Sequence, residues 1–154
     1  MRKKELPRDI RIDKEGAWYY HGAEMFRKDI WQELYRHLRR DETGRYLIEL
    51  GEERVYVEVE DTPFVIKSVT FSLADDKEED VIYLHMPDDS RKILDPSSLR
   101  VGKGNTLYGA LAGLGMEARF SRAAYYQIAA FIQQDSLEDR YFISLNKRRY
   151  YIRS

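Results

Sequence analysis

The sequence predicts an α+β protein: two duplicated β-hairpin–α-helix–β-hairpin units with extra central strands, built as antiparallel or mixed sheets with packed helices. Three observations carry this prediction. Residues 26–57 (FRKDIWQELYRHLRRDETGRYLIELGEERVYV) and residues 120–152 (FSRAAYYQIAAFIQQDSLEDRYFISLNKRRYYI) each run from an apolar-striped helix through a polar turn into two short β-rich segments. They also match by position. Phe26 falls on Phe120, Trp31 on Tyr125, Leu34 on Ile128, Leu38 on Ile132 and Asp41 on Asp135. One extra residue enters the second turn; then Arg45 and Tyr46 fall on Arg140 and Tyr141, Ile48 on Ile143, Leu50 on Leu145, Arg54 on Arg149, and Tyr56 on Tyr151. Upstream, Ile10-Arg11-Ile12 resembles Leu99-Arg100-Val101, and Trp18-Tyr19 resembles Leu107-Tyr108. Agreement in type, order and spacing is the signature of an internal repeat.

Taken in order, residues 1–8 form a charged tail. Residues 10–12 and 17–20 flank Asp13-Lys14-Glu15-Gly16 and read as a hairpin. A helix follows, with Phe26, Ile30, Leu34 and Leu38 four apart and Trp31 and Tyr35 widening the buried stripe. Asp29 in its first turn and Arg36, Arg39 and Arg40 in its last complement the helix dipole, and Gly44 can end it. Residues 46–50 and 54–60 form a second hairpin. In its second arm Val55, Val57 and Val59 face one way, and Tyr56, Glu58 and Glu60 the other.

Pro63 ends that arm. Residues 64–73 read as one strand with Val65, Lys67, Val69 and Phe71 on a single face; residues 74–80 read as an acidic loop. Residues 81–86 and 91–94 are further strands, and Asp95-Pro96-Ser97-Ser98 is the expected joint. The domain reading is therefore 1–95 for the first repeat unit with the central strands and 96–154 for the second, tightly packed together. Ser121 is the expected N-cap of the second helix, and Asn146-Lys147 the last hairpin turn. The helical aromatics Trp31, Tyr35, Tyr125 and Tyr126 are expected in the core.

Composition narrows the classes. With 154 residues the chain can bury a substantial core, and 13% aromatic residues argue against disorder. Cysteine is absent, so there is no disulfide and no cysteine-ligated metal. No apolar run approaches the roughly 20 residues of a membrane-spanning helix. Glu5, Pro7, Arg8 and Asp9 stand where a signal peptide would be apolar. The expectation is a soluble, cytoplasmic protein without a membrane partner. Charge is uneven: residues 61–95 carry nine acids and four bases, residues 96–154 four acids and nine bases. Such a split is either two solvated surfaces or a dipole that pairs copies of the chain in trans.

Four groups of residues are candidates for chemistry. Gly102-Lys103-Gly104-Asn105-Thr106 lacks the spacing of a phosphate-binding Walker loop and reads as a plain turn. His21, His37 and His85 show no metal-ligand spacing, so neither a metal nor another cofactor is expected; His21 stands where a strand hands over to the helix. Glu58, Glu60 and Asp61 end a strand near the Asp13 turn, and paired carboxylates can perform acid–base work. Lys147, Arg148 and Arg149 interleave with Tyr150 and Tyr151, a pattern that can track a nucleic-acid backbone. Tyr151 falls on Tyr56 of the acidic first hairpin, however, so nucleic acid is not the expected partner.

At residues 57–64, VEVEDTPF, the chain resembles an uncharacterised bacterial family, the domain of unknown function twelve-eighty-five. That family carries a valine-glutamate-aspartate-alanine-proline-phenylalanine run after a strand; here Thr62 replaces the alanine. Ile12-Asp13, Gly16, Trp18, Tyr20 and Gly22 are similar to its N-terminal pattern, and residues 118–129 to its second helix. The resemblance implies a fold of two similar repeats and a link to signalling, and supplies no catalytic residues. The functional expectation is a non-enzymatic module that binds a small molecule or a protein. Asp13, His21, Glu58, Glu60, Asp61, Lys147, Arg148 and Arg149 are its candidate site residues. A carboxylate-using hydrolase and a single-stranded nucleic-acid binder are the alternatives.

Overall fold

The computed structural model describes residues 9–73 and 79–154. The charged tail at 1–8 and most of the expected acidic loop, 74–78, lie outside the described residues. The fold is α+β, with two short helices and many strands in mixed and antiparallel sheets. It divides into two compact units, residues 1–63 and 64–154.

Unit 1 opens with β1 (Ile10–Ile12), β2 (Trp18–Tyr20) and β3 (Ala23–Glu24). Ile10, Ile12 and Trp18 turn inward and are buried. Helix α1 (Lys28–Arg36) leads to β4 (Leu38–Arg40), β5 (Tyr46–Leu50) and β6 (Glu53–Tyr56), a three-stranded meander. The chain then changes sheets at buried Val57. Its continuation, β7 (Glu58–Val59), lies parallel to β1, with Arg11 opposite Glu58.

The helix is shorter than its apolar stripe suggests. It stops at Arg36, and His37 closes it by donating its backbone N–H to Leu34 O at 3.1 Å. Leu38 then pairs with Ile48 in β4–β5 and is 1% exposed. Burial of Leu38 is satisfied by strand pairing as well as by another helical turn, so a four-residue spacing does not choose between them. Arg39 and Arg40 consequently lie on a strand. At the other end Phe26 precedes the helix and is 82% exposed, and Ile30 is also exposed; only Leu34 and Tyr35 of the helix are buried.

Unit 2 starts with β8 (Phe64–Ile66) and β9 (Ser68–Ser72), which replace the single expected strand. The break at Lys67, whose N–H donates to His85 O, switches the inward face from Phe64 and Ile66 to Val69. β10 (Val81–His85) pairs with β9 and with β11 (Arg91–Val101). β12 (Leu107–Leu111) and β13 (Glu117–Phe120) complete a six-stranded sheet of order β8-β13-β12-β11-β10-β9. The expected joint at Asp95-Pro96-Ser97-Ser98 lies inside β11. Pro96 has no N–H for the ladder, and the strand crosses it as an irregularity in register between Asp95 and Arg100. The central strands thus join the second unit rather than the first.

Helix α2 (Arg122–Ala129) begins at the expected cap, Ser121 Oγ accepting from Ala124 N at 3.1 Å. It is followed by the meander β14 (Gln133–Asp135), β15 (Arg140–Leu145) and β16 (Arg148–Tyr151). Asn146 and Lys147, both at positive φ, make its two-residue turn.

Candidate functional site

Two of the expected polar residues, Asp13 and Glu60, hold turns. Asp13 Oδ1 accepts the backbone N–H groups of Glu15 and Ala17, each at 2.9 Å, and Oδ2 accepts from the Tyr19 hydroxyl at 3.1 Å. That bond raises the Tyr19 phenol above its ordinary pKa. Glu60 Oε2 accepts Lys14 N at 2.9 Å. These bonds tie the β1–β2 turn to the end of β7 and engage both oxygens of Asp13 and one of Glu60. Asp61 is half-buried beside buried Thr62 and Pro63. His21, at φ 50°, ion-pairs with Asp9 at 3.3 Å. Together with Glu58, Arg11 and Tyr19 these two border a shallow polar groove of about 520 Å³ in unit 1. Among the described residues no three His, Asp or Glu side chains gather as a metal-binding group.

The basic hairpin is likewise engaged. The Arg149 guanidinium lies 3.3 Å from Asp135 and over the Phe142 ring at 4.3 Å, and that of Arg148 lies over the Tyr150 ring at 5.4 Å. Lys147 occupies the turn itself.

One supporting corner occurs in both units. Asp41 Oδ1 accepts from the Thr43 hydroxyl and from the Thr43 and Arg45 N–H groups. Its Oδ2 accepts from Tyr56 Oη at 3.0 Å, and Arg45 lies 3.9 Å from the Tyr56 ring centre. In unit 2 Asp135 Oδ1 accepts from Leu137 N and Glu138 N and Oδ2 from Tyr151 Oη at 2.9 Å, with Arg140 again 3.9 Å from the ring centre. The Thr43 hydroxyl, then the Arg45 N–H and Tyr56 hydroxyl, hold the Asp41 carboxyl down at about 2. The Tyr151 hydroxyl, then the Leu137 and Glu138 N–H groups, lower that of Asp135. Backbone pairing agrees as well. Val57 N donates to Tyr46 O at 3.0 Å and Ile152 N to Tyr141 O at 2.9 Å. Arg153 then runs parallel to Arg100, as Glu58 does to Arg11.

Where the two units part is behind the helix. In unit 1 that space is filled by rings. Trp18 and Tyr35 are 3% and 6% exposed, and Tyr35 lies 6.0 Å from Trp18 and 6.3 Å from Trp31 between ring centres. The corresponding residues of unit 2 are Leu107, Ala129 and Tyr125. A hollow of about 930 Å³ opens there, between α2, the β14–β15 hairpin and the first residues of β12. Ile12, Leu38 and Val57 are buried in unit 1, whereas Val101, Ile132 and Ile152 are only half-buried along the hollow. Tyr125 and Tyr141, expected core and strand residues, stand 38% and 53% exposed on its wall. Tyr126, also expected in the core, is exposed beside them.

None of the predicted site residues lines this hollow. Of the helical aromatics expected in the core, Tyr125 lines it; the charged motifs of the sequence point elsewhere, and the lining combines apolar and aromatic side chains with Arg140, Arg153 and Asp139. In the sequence, Trp18 and Tyr35 stand at positions matched by Leu107 and Ala129.

No family model matches the chain, and neither does any curated protein. Two solved structures do. A DUF1285 family protein from Silicibacter pomeroyi DSS-3 superposes with a TM-score of 0.77 at 18% identity, over 95% of this chain and 79% of that one. A DUF1285 family protein from Shewanella baltica OS155 superposes with a TM-score of 0.64 at 21% identity, over 79% of this chain and 90% of that one. At such identities the likeness is one of fold, and in fold this chain resembles the DUF1285 proteins.

Proposed function

We propose that this chain is a non-enzymatic module that binds a small molecule in the hollow of unit 2, in a regulatory role. One observation carries the reading. On otherwise matching scaffolds, the space closed by Trp18 and Tyr35 in unit 1 is open beside Leu107 and Ala129 in unit 2. Its volume of about 930 Å³ lies within the roughly 300–1,000 Å³ of small-molecule sites, and its wall combines apolar and aromatic side chains with the polar groups of Asn105, Gln134, Asp139, Arg140 and Arg153. We read the two units as copies of one hairpin–helix–hairpin element, the first keeping a sealed core and the second specialised for binding. The commitment of Asp13 and Glu60 to backbone N–H groups speaks against the hydrolase alternative. The internal engagement of Arg148 and Arg149 speaks against nucleic acid.

The test is a thermal-shift screen of a small-molecule library, since a ligand that binds only the folded state stabilises it by mass action. Hits should perturb the NMR signals of Tyr125, Ala129, Tyr141 and Ile152. Hits that perturb only the groove around His21 and Glu58, or no hits at all, would contradict the proposal.

A further inference from the structure

The hollow has a polarity that unit 1 lacks. Arg153 follows β16 and is pinned by backbone bonds on both sides, its N–H donating to Leu99 O at 3.0 Å and its carbonyl accepting from Val101 N at 2.7 Å. The stem of its side chain therefore starts from a fixed point on the wall. Its neighbour across the parallel bridge is Arg100, whose guanidinium is held by both carboxylate oxygens of Glu117. Among the described residues the Arg153 guanidinium donates to the Ser98 carbonyl, at a long 3.3 Å. In unit 1 the residue at this place is Glu58, opposite Arg11. The sign of the charge at the corresponding wall position is thus reversed.

The second cation at the edge is Arg140, already paired with Glu138 at 3.2 Å and stacked on Tyr151. Asp139 is the one acidic side chain on the lining. Among the described residues, Arg153 is the lining guanidinium held by no carboxylate, and it can turn to a bidentate pair with an incoming acid. The lining also supplies the Tyr125 and Tyr141 rings, which favour a flat partner at stacking distance.

Resting on the reading of the hollow as a ligand site, we infer that its ligand is a small aromatic monoanion, its ring against Tyr125 and Tyr141 and its acidic group on Arg153. A neutral or cationic molecule of the same shape loses the charge-assisted pair.

The experiment compares three matched probes on the full chain by isothermal titration calorimetry: indole-3-acetate, indole-3-acetamide and tryptamine. Indole-3-acetate should bind about tenfold more tightly than the amide, the equivalent of one charge-assisted hydrogen bond, and tryptamine most weakly. Arg153→Glu, which copies the sign found in unit 1, should abolish the advantage of the acid over the amide. Arg153→Gln serves the same purpose if the glutamate variant fails to fold. Ala129→Tyr should abolish binding of all three. Equal binding of acid and amide, lost in Ala129→Tyr, overturns the inference about charge and leaves the hollow as a site. An advantage of the acid that survives both Arg153 substitutions also overturns it. No binding of any probe overturns the inference together with the reading on which it rests.

Discussion

In unit 1 Tyr35 of the helix packs against Trp18; in unit 2 the matching residues are Ala129 and Leu107, and a hollow of about 930 Å³ stands open beside them. The surrounding framework does not share that divergence. Each unit has its Asp–Tyr corner, at 3.0 and 2.9 Å, its arginine over the tyrosine ring, and its parallel return onto the first strand. Polar groups that position the backbone can thus persist while the interior changes from packed rings to open space. Interior volume is set by side-chain size, whereas hairpin geometry is set by turn hydrogen bonds and strand pairing, so one can vary without the other.

The largest effect should come from emptying the filled side. Tyr35→Ala removes a 6%-exposed ring packed against Trp18 and Trp31 and should cost about 3–5 kcal/mol in urea unfolding. A loss below about 1 kcal/mol would mean that the rings do not support unit 1 and that the contrast is superficial.

Next come two positions where the units agree. Leu34 and Ile128, 6% and 0% exposed, occupy matching places on the two helices. Truncation of either to alanine should cost about 2–5 kcal/mol, with similar losses in both. Losses under about 0.5 kcal/mol for both would show that the apolar stripes do not anchor the helices.

These positions also show what the sequence discloses. Helix existence, the Ser121 cap and the Asn146-Lys147 turn could be read locally, because each depends on a few neighbouring residues. Helix length could not, since Leu38 reaches the core equally well as helix or strand. The continuity of β11 through Pro96 depends on partners far along the chain, β10 and β12, which no local pattern names. The hollow was hidden for a different reason. Candidate chemistry was sought in Asp13, His21, Glu58, Glu60, Asp61 and Lys147 to Arg149, whereas the hollow is made by residues too small to fill it.

The Asp–Tyr corner gives a pH test. A carboxyl depressed in the folded state stabilises the fold above its unfolded pKa of about 3.9 and loses that contribution as pH falls through the folded value, about 2 for Asp41. Stability should therefore fall between about pH 4 and about 2. Asp41→Asn should flatten that part of an acid titration followed by circular dichroism, and Asp135→Asn should act in the same direction. An unchanged slope in both variants would show that the corners are not linked to folding.

The smallest effect belongs to the basic hairpin. Arg149 is 56% exposed, and a solvent-exposed pair with Asp135 is worth at most about 1 kcal/mol. Changing Lys147, Arg148 and Arg149 together to glutamate should alter stability only modestly, less so at high salt, where such pairs are screened. Single-stranded DNA or RNA should bind feebly before and after the change, measured by fluorescence anisotropy across salt. Tight binding that weakens steeply with salt and vanishes in the variant would place the function on this hairpin instead.

The most direct measurement is the stability of Ala129→Tyr, which puts into unit 2 the residue that Tyr35 provides in unit 1. If the space behind α2 is open, the added ring buries apolar surface without overpacking. The urea midpoint should then stay level or rise, by up to about 1 kcal/mol in free energy, with the slope of the transition unchanged. A loss of about 2 kcal/mol or more, the mark of a side chain forced into filled space, would contradict the contrast between the two units.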